Sequence, residues 1–391
     1  MRALLIVLDR LGVGQMPGHR NAPGGDTLGQ LFRETPGMSL PNLFSLGLGE
    51  ILNGRVFDPP ARKCAASYGR MIQRSAGADT LSALWELAGA GCGCPFTAGQ
   101  QLPAECLPAL AQESGVKFLL NPAPPGEEPP ELLAEHLRTG NPILTLCPGS
   151  ALALTAHVST VSPVRLAHLC RIVRRHADRW RIARVTGQLM AGDGAAWRPQ
   201  GEALCCPIVP PRTILNAISE RGLAVETIGG VHTAFARSGI TRGHPASSPA
   251  ESLDLIDQRW EAPQNGLIFA HLRAPSDAGG SRALTHLLPG FDAWLGGFLE
   301  KLENDNLLLI TGANGGGPGA LSPGHPRQEV PILAAYGGRT APLGLRDTLA
   351  DVAATLDAFF GIREPGCPWG GGEPLLTFHR PRGLNGPWGR S

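Results

Sequence analysis

Continuous apolar runs predict the strands of a buried sheet. The first, Arg2–Leu8, is rich in branched side chains and is bounded by Asp9 and Gly12. Such a run is typical of a strand that is covered on both faces, as in the middle of a parallel sheet. Similar runs, each followed by a loop of glycine, proline or small polar residues, occupy residues 223–228, 266–272, 306–311 and 330–336.

Apolar residues spaced three and four apart predict amphipathic helices between these strands. One stripe runs from Phe291 to Leu302, and a second helix is expected to begin near Asp347 and to end at Gly361. Because strands and helices alternate, the sequence predicts an α/β core in which a mostly parallel sheet is flanked by helices.

The pattern of residue types along the chain changes between about Gly91 and Pro207. Joints rich in proline and glycine, at residues 90–95 and 204–211, bracket a segment with its own predicted helices. We interpret this segment as an inserted, smaller α/β cap domain. The predicted division is a first part of the core at residues 1–92, the cap at 93–205 and a second part of the core at 206–391.

Composition narrows the class of protein. In the 391-residue chain, 34 lysines and arginines nearly balance 33 aspartates and glutamates, and 42% of the residues are hydrophobic. These values argue against disorder and against a polybasic surface for nucleic acid. The early apolar run is too short for a signal peptide or a membrane span, and nine cysteines fit reduced thiols. We therefore expect a soluble cytoplasmic protein without nucleic-acid or membrane partners.

Two motifs place reactive side chains at the ends of predicted elements. Asp9 directly follows the first strand, and ligands of open α/β sheets bind beyond the carboxyl ends of strands, although an Asp there can simply form a turn. Thr80, in Asp79-Thr80, precedes an apolar helical run. It is a candidate N-cap, or a nucleophile that becomes phosphorylated, since a helix N-terminus favours negative charge.

The ordered set of motifs resembles the phosphopentomutase family over nearly the full length. The matching core segments are VLDRLGVG at 7–14, GDTLG at 25–29, LPNL at 40–43, DT at 79–80, WE at 85–86 and RDTLAD at 346–351. Within the insert, the segments at 134–143, 183–185 and 192–193 also fall in the family's order.

The resemblance implies an alkaline-phosphatase-like core with an inserted cap. In that family two divalent cations, typically manganese, flank a phosphothreonine, and phosphate moves between the 5 and 1 positions of ribose or deoxyribose. By resemblance, Thr80 is the phosphorylated residue, Asp9 is the first metal carboxylate and His325 is a late metal imidazole. Hard oxygen ligands and imidazoles suit such a two-cation site.

Other metal positions depart from the family's pattern. Adjacent Asp and His ligands are replaced by Ala313 and Asn314, and the ungapped equivalents of a further Asp and His are Ser276 and Ser281. Asp277 replaces that carboxylate if the loop slips by one residue. No histidine replaces the other ligand, unless His271 or His286 reaches the site.

Positions implied to contact the sugar phosphate are changed as well. Cys147 and Gly149 stand where the cap would supply Ser and Asp, and Gly187 stands where a phosphate-binding arginine is implied. We therefore favour a pseudoenzyme that binds an unidentified protein or ligand. The alternative is an active metal-dependent phosphomutase or phosphohydrolase acting on a sugar phosphate or other phosphoester, with Mn²⁺ or another divalent cation; the pseudoenzyme need hold no metal.

Overall fold

The computed structural model describes most of the chain. The described residues are 1–15, 26–52, 64–77, 79–91, 93–96, 102, 104–124, 126–147, 150–192, 196–273, 282–313, 328–363, 365 and 369–378. Within them, no helix is long and apolar enough to cross a membrane.

A nine-stranded, mostly parallel sheet forms the larger part of the structure. Its strands are β1 (Arg2–Leu8), β2 (Gly14–Gln15), β3 (Ser67–Met71), β9 (Ala224–Ile228), β10 (Arg242–His244), β11 (Gly266–Leu272), β12 (Leu307–Gly312), β13 (Gln328–Ala335) and β14 (Pro342–Arg346). Their order in the sheet is β10-β9-β11-β1-β12-β13-β3-β14, and β2 pairs with β13.

Strand β1 lies in the middle of this sheet, as its apolar run predicts. It pairs in parallel with β11 on one side and with β12 on the other, so that Val7 lies opposite both His271 and Thr311. Leu4 and Ile6 belong to one buried apolar cluster, while Val7 and its alternate neighbours belong to another. The next strand, β13, is antiparallel to β12, a direction that an apolar run does not encode.

Helices cover both faces of the sheet. The face with Leu4 packs against α1 (Thr27–Glu34), α2 (Pro41–Ser45), α3 (Leu48–Leu52), α10 (Pro249–Glu261) and α11 (Arg282–Lys301). The face with Val7, called here the Val7 face, packs against α4 (Thr80–Leu87), α8 (Ile214–Glu220), α9 (Val231–Ala234) and α12 (Asp351–Phe360). The predicted α/β fold class is confirmed.

A second, five-stranded sheet is formed by the middle of the chain. It contains β4 (Leu119–Asn121), β5 (Ile143–Cys147), β6 (Ala151–His157), β7 (Arg184–Ala191) and β8 (Arg198–Pro207), in that order, with α5 (Cys106–Ser114), α6 (Pro130–Thr139) and α7 (Pro163–Arg179). Helices α5 and α7 share an apolar cluster with β5, β6 and β7. Strand β8 runs two residues past position 205, and the domain division at 93–205 stays a prediction.

The C-terminal helix ends where the sequence predicts but begins later. Gly361 has a φ of +66°, the left-handed conformation that ends many helices at glycine. The helix begins at Asp351, because the Thr348 hydroxyl donates to the buried carboxylate of Glu86 (2.9 Å) and accepts from the Ala350 N–H (3.1 Å). Thr348 thus holds the turn before the helix.

A buried histidine joins α6 to the second sheet. His136 is 0% exposed; its Nδ1 lies 2.6 Å from the Asn141 carbonyl oxygen, and its Nε2 accepts from the His157 N–H at 2.9 Å. Both contacts require a neutral ring with its proton on Nδ1. Burial lowers the pKa of His136, and nearby His157 lowers it further.

We expect His136 to make stability depend on pH. Its folded pKa lies below the unfolded value of about 6.5, so the unfolded state binds more protons and the free energy of unfolding falls as the pH drops below that value. His136→Gln should flatten this dependence in urea unfolding. His286→Gln, on the exposed surface of α11, is the control and should keep the wild-type slope. An equal slope in His136→Gln would contradict the assignment.

Candidate active site

Asp9 emerges at the carboxyl edge of the main sheet. Its N–H donates to the Leu272 carbonyl oxygen at 3.0 Å, which fixes it at the end of β11 as well as β1. Its carboxylate oxygens lie 3.8 Å from His271 Nε2 and 3.8 Å from Arg10 Nε, and its side chain is 17% exposed. A carboxylate, an imidazole and a guanidinium therefore meet at this edge.

His271 is one of the two histidines considered above as a substitute for the missing metal histidine. It follows the buried Phe269 by two residues on β11, so its side chain lies on the Val7 face. That side chain is 6% exposed, and within the described ranges its buried Nε2 has no hydrogen-bond partner. His286, the other histidine considered, is exposed on α11. The structure thus brings His271, within an apolar strand, beside Asp9.

Thr80 begins α4 at the same edge. Strand β3 is antiparallel to β13, which is antiparallel to β12, so β3 runs parallel to β1 and the chain passes from its carboxyl end to α4. The N-cap of α4 is Asp79, whose carboxylate accepts from the N–H and hydroxyl of Ser82 at 2.8 and 2.7 Å. The N-cap interpretation of Thr80 is therefore wrong, and its role as phosphoryl acceptor stays a prediction.

Glu86 holds the loop that leads to Thr80. Its carboxylate, 1% exposed, accepts from the N–H groups of Arg74 (2.8 Å), Ser75 (2.6 Å) and Leu349 (3.0 Å), besides the Thr348 hydroxyl. The adjacent Trp85 donates through Nε1 to the Ala234 carbonyl oxygen at 2.8 Å. The WE motif, used above only for its resemblance, therefore fixes the approach to α4.

Ala313 follows β12, where the resemblance implies a metal carboxylate. Its side chain is 1% exposed and belongs to the apolar cluster of the Val7 face, so this position is directed toward the side of the sheet on which Asp9 lies. A methyl group offers no donor atom to a cation. The other implied metal or cap positions that lie outside the described residues are Asp277, His325, Ser276, Ser281, Asn314 and Gly149.

The two described cap positions lie on opposite faces of the second sheet. Leu146 belongs to the apolar cluster with α7, so the next residue, Cys147, is half-buried on the other face. Burial raises the pKa of the Cys147 thiol, and the nearby Arg184 offsets only part of this shift. Gly187 faces α7: a Cβ there would overlap Cys170 Sγ. Its neighbour Gln188 shares the face of Cys147.

The described donor atoms fit one cation better than two. Asp9 and His271 supply an oxygen and a nitrogen at one point, which suits a divalent metal. Among the described residues that follow β12, Ala313 offers no donor atom. Within the described ranges, no group of three or more His, Cys, Asp or Glu side chains is arranged to hold a metal ion.

Comparison with known proteins identifies the family. No family model matches the chain. The chain is 34% identical over 375 residues to a phosphopentomutase of Syntrophotalea carbinolica, covering 92% of this chain and 95% of that protein. It is 32% identical over 378 residues to a phosphopentomutase of Acetivibrio thermocellus, covering 92% and 96%.

Solved structures show weaker likeness. A protein of the alkaline phosphatase superfamily from Vibrio parahaemolyticus is 10% identical, with a TM-score of 0.43 and coverage of 97% of this chain and 70% of that one. On the sequence relatives, the chain belongs to the phosphopentomutase family, and the resemblance found from its motifs is confirmed.

We expect substitutions at Glu86 to destabilise the protein. In Glu86→Gln, an amide N–H₂ replaces one carboxylate oxygen; even when it replaces Oε2, it faces the Ser75 N–H, which loses its acceptor at a cost of about 1–3 kcal/mol in the free energy of unfolding. Urea unfolding measures this loss. Glu135→Gln, on an exposed position of α6, is the matched control; equal stability of the two variants would show that the contacts are not important.

Packing at Gly187 can be tested by adding one methyl group. In a strand, Gly→Ala ordinarily stabilises by roughly 0.5–1 kcal/mol. Here the overlap with Cys170 should reverse the sign, with a loss of about 1–3 kcal/mol. In a Cys170→Ala background the same change should be tolerated or favourable, since the sulfur is gone. A gain from Gly187→Ala in the wild-type background would refute this packing.

Proposed function

We propose that this member of the phosphopentomutase family has lost the mutase reaction and acts as a binding protein. The observation that carries the proposal is Ala313, whose buried methyl group stands in an apolar cluster where the resemblance implies a metal carboxylate. Two-cation catalysis neutralises the phosphoryl oxygens and fixes the line of attack through hard oxygen and imidazole ligands. A methyl group removes one of these ligands outright.

The sequence adds two further losses on the metal side. Of six side chains that the resemblance implies as ligands, Asp9, Asp277 and His325 retain donor types, while Ser281, Ala313 and Asn314 do not match. Three ligands divided between two cations leave neither with the usual three or more protein ligands. This count favours the loss of at least one cation.

The edge still has features suited to a negatively charged ligand. Thr80 lies in the first turn of α4, where backbone N–H groups and the helix dipole attract phosphate. Arg10 adds a guanidinium next to Asp9. A sugar phosphate or another phosphoester is therefore the small-molecule class we propose for this edge of the sheet. A protein partner is the other ligand we consider for a pseudoenzyme.

A second candidate function is a phosphomutase or phosphohydrolase with a reduced metal site. It is favoured by the position of Thr80 in the first turn of α4, directly after the capping residue Asp79 and at the same edge of the sheet as Asp9. A hydroxyl nucleophile still needs a cation or base for activation. The two functions therefore differ in whether Thr80 accepts a phosphoryl group.

Turnover of pentose phosphates separates the two candidates. We expect the full chain, assayed with Mn²⁺, to interconvert ribose 5-phosphate and ribose 1-phosphate no faster than its Thr80→Ala variant. The Syntrophotalea phosphopentomutase serves as the positive control under the same conditions. Manganese-dependent turnover, of ribose phosphates or a generic phosphoester, that Thr80→Ala abolishes would overturn the binding-protein proposal and establish the second candidate.

A further inference from the structure

Two buried polar side chains on the Val7 face have no hydrogen-bond partner among the described residues. They are His271, through Nε2, and Thr227, through its hydroxyl. Thr227 lies opposite Phe269 in the parallel pairing of β9 with β11. Because Phe269 precedes His271 by two residues, Thr227 and His271 lie on the same face of the sheet. Leaving such a group unpaired costs about 1–3 kcal/mol, and buried polar groups normally bond to protein, water or an ion. The His271 ring nitrogen therefore has a bonding capacity that no described protein group uses.

The position of Asp9 indicates which kind of ligand. His271 Nε2 and Asp9 Oδ1 are 3.8 Å apart, which is too long for a hydrogen bond. Two protein atoms that each lie about 2.1 Å from one cation are about 3.4 Å apart in tetrahedral geometry. A shift of a few tenths of an ångström would bring both atoms onto one ion.

We propose that Asp9 Oδ1 and His271 Nε2 together bind a single divalent cation. Water or a phosphoester oxygen completes its coordination. The ligand is new to the site, because the resemblance implies Asp9 but no histidine at position 271 as a metal ligand. This proposal is separate from the proposed loss of the mutase reaction. A protein that has lost the reaction could still bind the cation, or could bind none.

The two donors select the class of cation. An imidazole nitrogen with one carboxylate suits Zn²⁺, Co²⁺ or Mn²⁺, whereas Mg²⁺ and Ca²⁺ prefer oxygen ligands. Arg10 lies 3.8 Å from the other carboxylate oxygen and repels a cation, so the site should be weaker than a closed zinc site with four protein ligands.

Calorimetric titration of the full chain with Co²⁺ tests the proposal. We expect the wild type to bind, and His271→Gln and Asp9→Asn each to raise the Kd at least tenfold, which corresponds to about 1.4 kcal/mol. His286→Gln is the matched control, since it removes an exposed histidine and keeps every thiol. Mg²⁺ should bind the wild type more weakly than Co²⁺.

A second readout is independent of heats of binding. Saturating Co²⁺ should raise the melting temperature of the wild type and of His286→Gln, but not of His271→Gln, because only a cation bound to the folded state stabilises it. Melting in the presence of a chelator checks that each variant folds.

Three results would overturn the site: no binding by the wild type, equal Kd values for the wild type and His271→Gln, or an equal loss in His286→Gln. These outcomes are separate from the pentose phosphate assay. Turnover by the wild type would reject the binding-protein proposal. The Co²⁺ titration would still decide whether Asp9 and His271 bind a cation.

Discussion

The parallel pairing of β1 with β11 and β12 is the constraint on which the site depends. A strand of seven residues covered on both faces must leave the sheet where its apolar run stops, and the N–H of Asp9 bonds there to the end of β11. Because Val7 lies opposite both His271 and Thr311, side chains two residues apart on these strands share one face. Asp9, His271 and Ala313 meet through register alone.

Two positions that differ from the family's pattern are closely packed against neighbouring side chains. Ala313 belongs to the apolar cluster that also holds α4, and Gly187 lies against Cys170 with no room for a side chain. Restoring a long polar group at either place would force neighbouring atoms to move, which costs a few kcal/mol. Around Thr80, in contrast, Glu86 and Asp79 still hold the approach to α4 and its first turn through hydrogen bonds.

Apolar runs predicted the centre of the main sheet well, since β1, β11 and β12 are buried on both faces. They could not give the reversed direction of β13, because direction leaves no trace in a continuous run. Strand β8 was missed since most of its residues are exposed. The late start of α12 depends on Glu86, 262 residues from Thr348. His271 was hidden inside an apolar strand, and only the register reveals its neighbour.

The described metal-donor atoms, on Asp9 and His271, lie on one side of the site. This connects the proposed cation with the proposed loss of catalysis. In two-cation phosphoryl transfer, one ion stabilises the attacking oxygen and the other the leaving oxygen. A cation on Asp9 and His271 would lie on the β1–β11 side, while the last described residue on the β12 side is Ala313, with its methyl group. A phosphoester would then be neutralised from one side only. Under our proposal such a site holds the ligand in place, because the part of the chain that the structure describes adds no donor group for the second cation of an in-line displacement.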